Sequence, residues 1–199
     1  YSSSKGCAEL VSAAYQSSFY KHQRIGLATV RAGNVVGGGD WSRDRLIPDV
    51  INAFENNKPV FIRYPNSVRP WQHVLEPLSG YLLLAQKLFE NPENYSGAWN
   101  FGPYNSDARE VKWIVEKLIL SWPGSTWILD DRNSLYEANT LRLDISKATA
   151  LLDWHPTWTL EQTLEKIVSW HRSWLMKEDM YKYCVNEIKD FLNSQIDRI

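Results

Sequence analysis

The first residues able to do chemistry are Tyr1 and Lys5, in the run Tyr1-Ser2-Ser3-Ser4-Lys5. Four positions apart on a helix, two side chains share a face, with Cβ atoms about 6 Å apart. An ammonium held there favours the ionised form of a phenol whose ordinary pKa is about 10. A tyrosine so tuned can take a proton from an alcohol near neutral pH. The bland alternative is an exposed tyrosine and a surface lysine at a solvated helix end. A second group lies further on. Asn34 follows Arg31-Ala32-Gly33 and precedes three glycines, which would let a ligand approach the backbone closely. Arg63 closes a short apolar run, and Arg69 opens Arg69-Pro70-Trp71-Gln72-His73. Two arginines and an asparagine converging on one crevice can hold a diphosphate, because guanidinium groups match phosphate oxygens two bonds at a time. Surface arginines paired with carboxylates would account for the same residues.

Hydrophobic periodicity indicates the elements that must position these groups. Ala8, Val11, Tyr15 and Phe19 mark an amphipathic helix over 4–22, and the apolar run 25–30 suits a strand buried on both faces of a parallel sheet. A glycine-rich loop over 32–41 follows. A helix then opens at Leu46-Ile47-Pro48, with the proline in the first turn where its missing N–H costs nothing. Strands are expected at 60–63, 98–101, 126–129 and 141–144, and helices at 74–89, 111–120, 146–153, from 159 onward, and over 180–192. Such alternation predicts the α/β class. The first helix and strand read as the end of a doubly wound sheet, and the remainder as a smaller α/β lobe, with the boundary near 34–40.

Composition bounds the rest. The chain has 199 residues, 44% of them hydrophobic, and a net charge of −1, so nothing in its charge points to nucleic acid or an acidic membrane as partner. Ten tryptophans and ten tyrosines favour core and interface packing over carbohydrate stacking. Its two cysteines, Cys7 and Cys184, stand far apart with no metal-ligand spacing, which argues for a reducing compartment and against zinc. With no eighteen-residue apolar run and no signal peptide, the expectation is a soluble cytoplasmic protein.

The order of several stretches is more specific. Tyr1 to Glu9, Arg31 to Trp41 through Gly37-Gly38-Gly39-Asp40, and Arg69 to Pro77 come first. Trp99-Asn100-Phe101-Gly102-Pro103, Leu143-Asp144-Ile145-Ser146-Lys147 and Trp154-His155-Pro156 follow. Together they resemble the nucleotide-sugar branch of the extended short-chain dehydrogenases/reductases, and within it the dehydratases acting on CDP-glucose. The resemblance implies an NAD-dependent lyase that forms a 4-keto-6-deoxy sugar from a CDP-sugar, working as a homo-oligomer when intact. It implies that Tyr1 and Lys5 are catalytic and border the cofactor together with the backbone at Ala32 and Gly33. Asn34 and Arg69 would hold the sugar diphosphate, and Leu46, Ile47, Phe61 and Arg63 would border the nucleotide. For His73 and Glu137 a structural role and a ligand contact stay equally open.

On this reading residues 1–40 are the C-terminal remnant of a dinucleotide-binding domain, and 41–199 form the substrate-binding lobe. The glycine-rich dinucleotide fingerprint and the upstream acid and base of the family do not occur in these 199 residues. The sequence therefore predicts a piece of a longer protein, inactive by itself. It further predicts a loosely held Tyr1 and exposed apolar surface on the first helix and strand.

Overall fold

The computed structural model describes residues 2–131 and 138–196. Along the chain these form α1 (Ser2–Tyr15), β1 (Ala28–Ala32), β2 (Asn34–Val36), α2 (Leu46–Glu55), β3 (Val60–Ile62), β4 (Val68–His73), α3 (Leu75–Glu90) and the single turn α4 (Pro92–Tyr95). There follow β5 (Gly97–Phe101), β6 (Ala108–Glu110), α5 (Val111–Leu120), β7 (Trp127–Leu129), α6 (Ser146–Leu152), α7 (Leu160–Leu175) and α8 (Met180–Ile196). The class is mixed α/β with parallel strand pairing, as the alternation predicts.

Two compact units alternate along the sequence: residues 1–32, 76–102 and 143–155 form one, and 33–75, 103–142 and 156–199 the other. A single boundary near residue 40 does not describe this division. The physical reason is strand pairing, since β1 finds its partner in β5, well beyond the second unit's first segment.

In the first unit β1 and β5 run parallel, from Ala28 beside Gly97 to Ala32 beside Phe101. Its core holds Leu84 of α3, Trp99 and Phe101 of β5, Ala148 and Leu152 of α6, and Trp154. The late motifs work here. Asp144 Oδ1 accepts from the Ser146 N–H at 2.8 Å and from the Ser146 hydroxyl at 2.6 Å, which starts α6. Lys147 lies 4.0 Å over the Trp99 ring and donates to the Ala98 carbonyl at 3.0 Å. Trp154 stands edge-on to Phe101 at 5.0 Å and donates its indole N–H to the Ser79 hydroxyl at 3.0 Å.

The second unit contains a three-stranded sheet in the order β2-β4-β6 and the parallel pair β3-β7. Proline within an internal strand normally removes a ladder bond. Pro70 is tolerated because β6 pairs only with Val68–Pro70, and β2 only with Trp71–His73. Among the described residues Pro70 itself thus has a ladder partner on one side only. The core gathers Ile47, Val50, Ile51 and Phe54 of α2 with Val60, Ile62, Ile114, Leu118, Leu160, Leu164 and Ile167. A capping box closes the start of α7: Thr159 accepts from the Gln162 N–H, and Gln162 accepts from the Thr159 N–H.

Candidate functional site

The first unit holds the lysine of the opening motif. Lys5 lies on exposed α1, and Glu9, one turn later, shares its face. Glu9 ties that face to β1: it accepts the Thr29 hydroxyl at 2.7 Å and pairs with Arg31 at 3.4 Å. Ala32 ends β1 at the carboxyl edge of a parallel pair, where open α/β sheets bind ligands. Tyr1 and Glu137 lie outside the described residues. None of the described residues of α1 is buried, and Leu10 (72% exposed) and Phe19 (54%) present apolar surface.

The second unit holds the remaining candidates. Asn34 opens β2 with Trp71 as its register partner on β4. Two positions before Trp71, Arg69 is buried and donates to the Val68 carbonyl at 2.9 Å. Its cross-strand partner is Arg109, whose guanidinium lies 5.4 Å from the Trp113 ring centroid. Two like charges face each other on neighbouring strands, an arrangement that ordinarily destabilises a sheet. This second arginine escaped the sequence reading because only the β4–β6 register reveals it. Phe61 is exposed between buried Val60 and Ile62, and Arg63 follows on the same side of β3, also exposed. Leu46 and Ile47 begin α2, but Ile47 points into the core, so a ligand would meet its backbone rather than its side chain.

His73 ends β4 with 1% exposure. Its Nδ1 accepts the Leu75 N–H at 3.3 Å, its ring stands edge-on to Trp158 at 4.9 Å, and its Nε2 has no partner among the described residues. Burial, assisted by the Lys166 ammonium, lowers its pKa to about 4, so the ring is neutral. This environment is one of packing.

The glycines, read from sequence as room for a ligand, have neighbours from the chain itself. A Cβ at Gly33 would lie 2.3 Å from the Pro70 carbonyl oxygen, and one at Gly38 would lie 2.1 Å from Cγ of Trp170. Beyond this loop is a cleft of about 290 Å³ that sequence reasoning missed, bordered by Trp41, Asp49, Asn52, Glu55 and His171 among others. Its only sequence signal is the spacing of Asp49, Asn52 and Glu55 along one strip of α2.

No family model matches the chain. It is 52% identical over 200 residues to a CDP-glucose 4,6-dehydratase of Salmonella typhimurium (strain LT2), a match covering 98% of this chain and 56% of that protein. Among solved structures it superposes on a UDP-galactose 4-epimerase with a TM-score of 0.70 and 21% identity, over 88% of this chain and 54% of the other. A dTDP-glucose 4,6-dehydratase from Bacillus anthracis in complex with NAD gives a TM-score of 0.68 at 22% identity, over 87% and 52%. These two likenesses speak for the fold alone. The chain spans about half the length of the relatives it matches.

Proposed function

From its likeness to a CDP-glucose 4,6-dehydratase, we propose that this chain belongs to the nucleotide-sugar branch of the extended short-chain dehydrogenases/reductases and takes its function there. It is the carboxy-terminal, substrate-side portion of an NAD-dependent lyase that converts CDP-glucose to CDP-4-keto-6-deoxyglucose and water. The observation that carries this reading is 52% identity sustained over 98% of the chain.

The residues present fit the nicotinamide end of NAD. Small Ala32 closes a parallel strand, and the α1 face bearing Lys5 is fastened to that strand through Glu9. NAD, when bound, would supply the hydride acceptor for oxidation at C4 and the hydride donor for reduction at C6 once water has been eliminated across C5 and C6. The Tyr1 phenolate oxygen receives the C4 hydroxyl proton, and the Lys5 ammonium stabilises that phenolate. Asn34 and Arg69 hold the diphosphate. The α2 backbone at Leu46 and Ile47, with exposed Phe61 and Arg63, borders the cytidine. The part given to Tyr1 rests on the sequence motif, and Glu137 is given none. For His73 the burial favours a structural part.

Calorimetric titration of the protein with CDP, UDP and dTDP tests this reading. CDP is expected to bind at least about tenfold more tightly than the others, a difference of about 1.4 kcal/mol. Arg69→Ala should remove most of that affinity. Preference for UDP or dTDP would instead favour a dehydratase or epimerase for another nucleotide sugar, and binding of none would sink the proposal. Because the chain spans 56% of its relative, the 199 residues alone are expected to show no turnover of CDP-glucose.

A further inference from the structure

Independently of that reaction, the cleft beside the glycine-rich loop has the makings of a site. Asp49, Asn52 and Glu55 project from a strip of α2 next to the face that Val50 and Phe54 bury in the core. Burial raises the pKa of both carboxyls. For Asp49 the Asp44 carboxylate adds to this, while an Asp44 hydrogen bond and the Arg63 guanidinium pull the other way. Glu55 Oε1 is shielded from solvent and accepts no hydrogen bond from any described residue. His171 also lines the cleft. It is 1% exposed, its Nδ1 has no partner among the described residues, and burial lowers its pKa, so it contributes no positive charge. Arg45 is already engaged with Asp40 at 3.3 Å, which leaves Arg43 as the cation in the lining. Trp41 also lines the cleft, 54% exposed, its ring edge-on to His171 at 5.4 Å and tilted against Trp174 at 5.6 Å.

A shielded, unpartnered Glu55 oxygen, the Asp49 carboxylate about one turn and a half away, an amide and an accessible indole suit a ligand with several N–H donors and positive charge. Among the described residues no group of three His, Cys, Asp or Glu is placed to hold a metal ion, so the charge belongs to an organic group. We propose that this cleft binds a small free organic cation carrying a guanidinium or primary ammonium head, with Asp49 and Glu55 as counter-ions and the Trp41 face stacked on the head group. A cleft of about 290 Å³ has room for such a head and a short alkyl tail.

The test uses ¹⁵N-labelled protein and the Trp41 indole N–H resonance, assigned with Trp41→Phe. Ethylguanidinium is titrated against N-ethylurea, a neutral molecule of the same shape. The expected result is a saturable shift with ethylguanidinium at roughly millimolar concentration and none with ethylurea. Glu55→Gln and Asp49→Asn should each weaken the response at least about tenfold. Both exchanges keep the side-chain shape at positions outside the buried core, so the fold should survive, and unchanged spectral dispersion would verify it. Absence of saturation, an equal response to ethylurea, or unaltered affinity in both variants would overturn the proposal.

Discussion

At the scale of single residues, His73 carries a pH dependence whose sign follows from its surroundings. Its folded pKa is about 4, against about 6.5 in an unfolded chain. Between those values the unfolded state binds a proton that the folded state refuses. The stabilisation is therefore complete above about pH 6.5 and is lost as pH falls toward 4, at up to about 1.4 kcal/mol per pH unit. His171 shifts in the same direction, whereas Glu187, raised chiefly by burial, works in the opposite sense. Urea midpoints are predicted to be flat above pH 7 and to drop between pH 6.5 and 4.5, with His73→Asn flattening the drop. An unchanged slope in that variant would assign the acid sensitivity elsewhere. Gly33 gives a second case. Placing a Cβ 2.3 Å from the Pro70 carbonyl forces the backbone to move, so Gly33→Ala should cost about 1–3 kcal/mol, read as a lower urea midpoint. Sequence suggested that the glycines here leave room for a ligand. Their neighbours Pro70 and Trp170 lie far along the chain, and only the fold brings them close.

At the scale of elements, legibility followed periodicity. The 3.6-residue pattern located α2 and α5 at their observed bounds, because a buried face such as Ile47, Val50, Ile51 and Phe54 writes itself into spacing. Apolar runs exposed the three-residue strands β3 and β7, whereas β2, inside the glycine-rich segment, and β6, Ala108-Arg109-Glu110, carry no such run and passed unnoticed, as did β4 with its Pro70. The expected strand at 141–144 is a correction. Beyond the single Thr140 bridge to Val68, that segment pairs with no strand among the described residues, and the Asp144 carboxylate accepts from Ser146 in the first turn of α6. The candidate site divides in the same manner. Arg63 and Arg69 could be picked out as residue types, but that Arg69 is buried opposite Arg109 depends on a register no sequence spells out. For α7 the capping box makes a definite forecast: Thr159→Ala should lower stability by about 1 kcal/mol, while Thr159→Ser should keep most of it. Equal loss in both variants would show that the hydroxyl is not what matters.

At the scale of the whole molecule, no helix among the described residues is long and apolar enough to cross a membrane. The exposed apolar side chains Leu10, Val11 and Tyr15 of α1, with Phe19 in the turn after it, call for a cover. We expect the protein to self-associate through that face, with sedimentation showing a concentration-dependent dimer that Leu10→Glu disperses. A clean monomer at high concentration would speak against it. The alternation of the two units also sets a timetable for synthesis. Strand β1 cannot pair until β5 arrives nearly seventy residues later, and α6 completes that unit's core later still. At about 5–20 residues per second, a ribosome leaves β1 unsatisfied for roughly 3–14 s. For that interval the nascent chain carries an unpaired strand, which makes it a substrate for chaperones before either half can close.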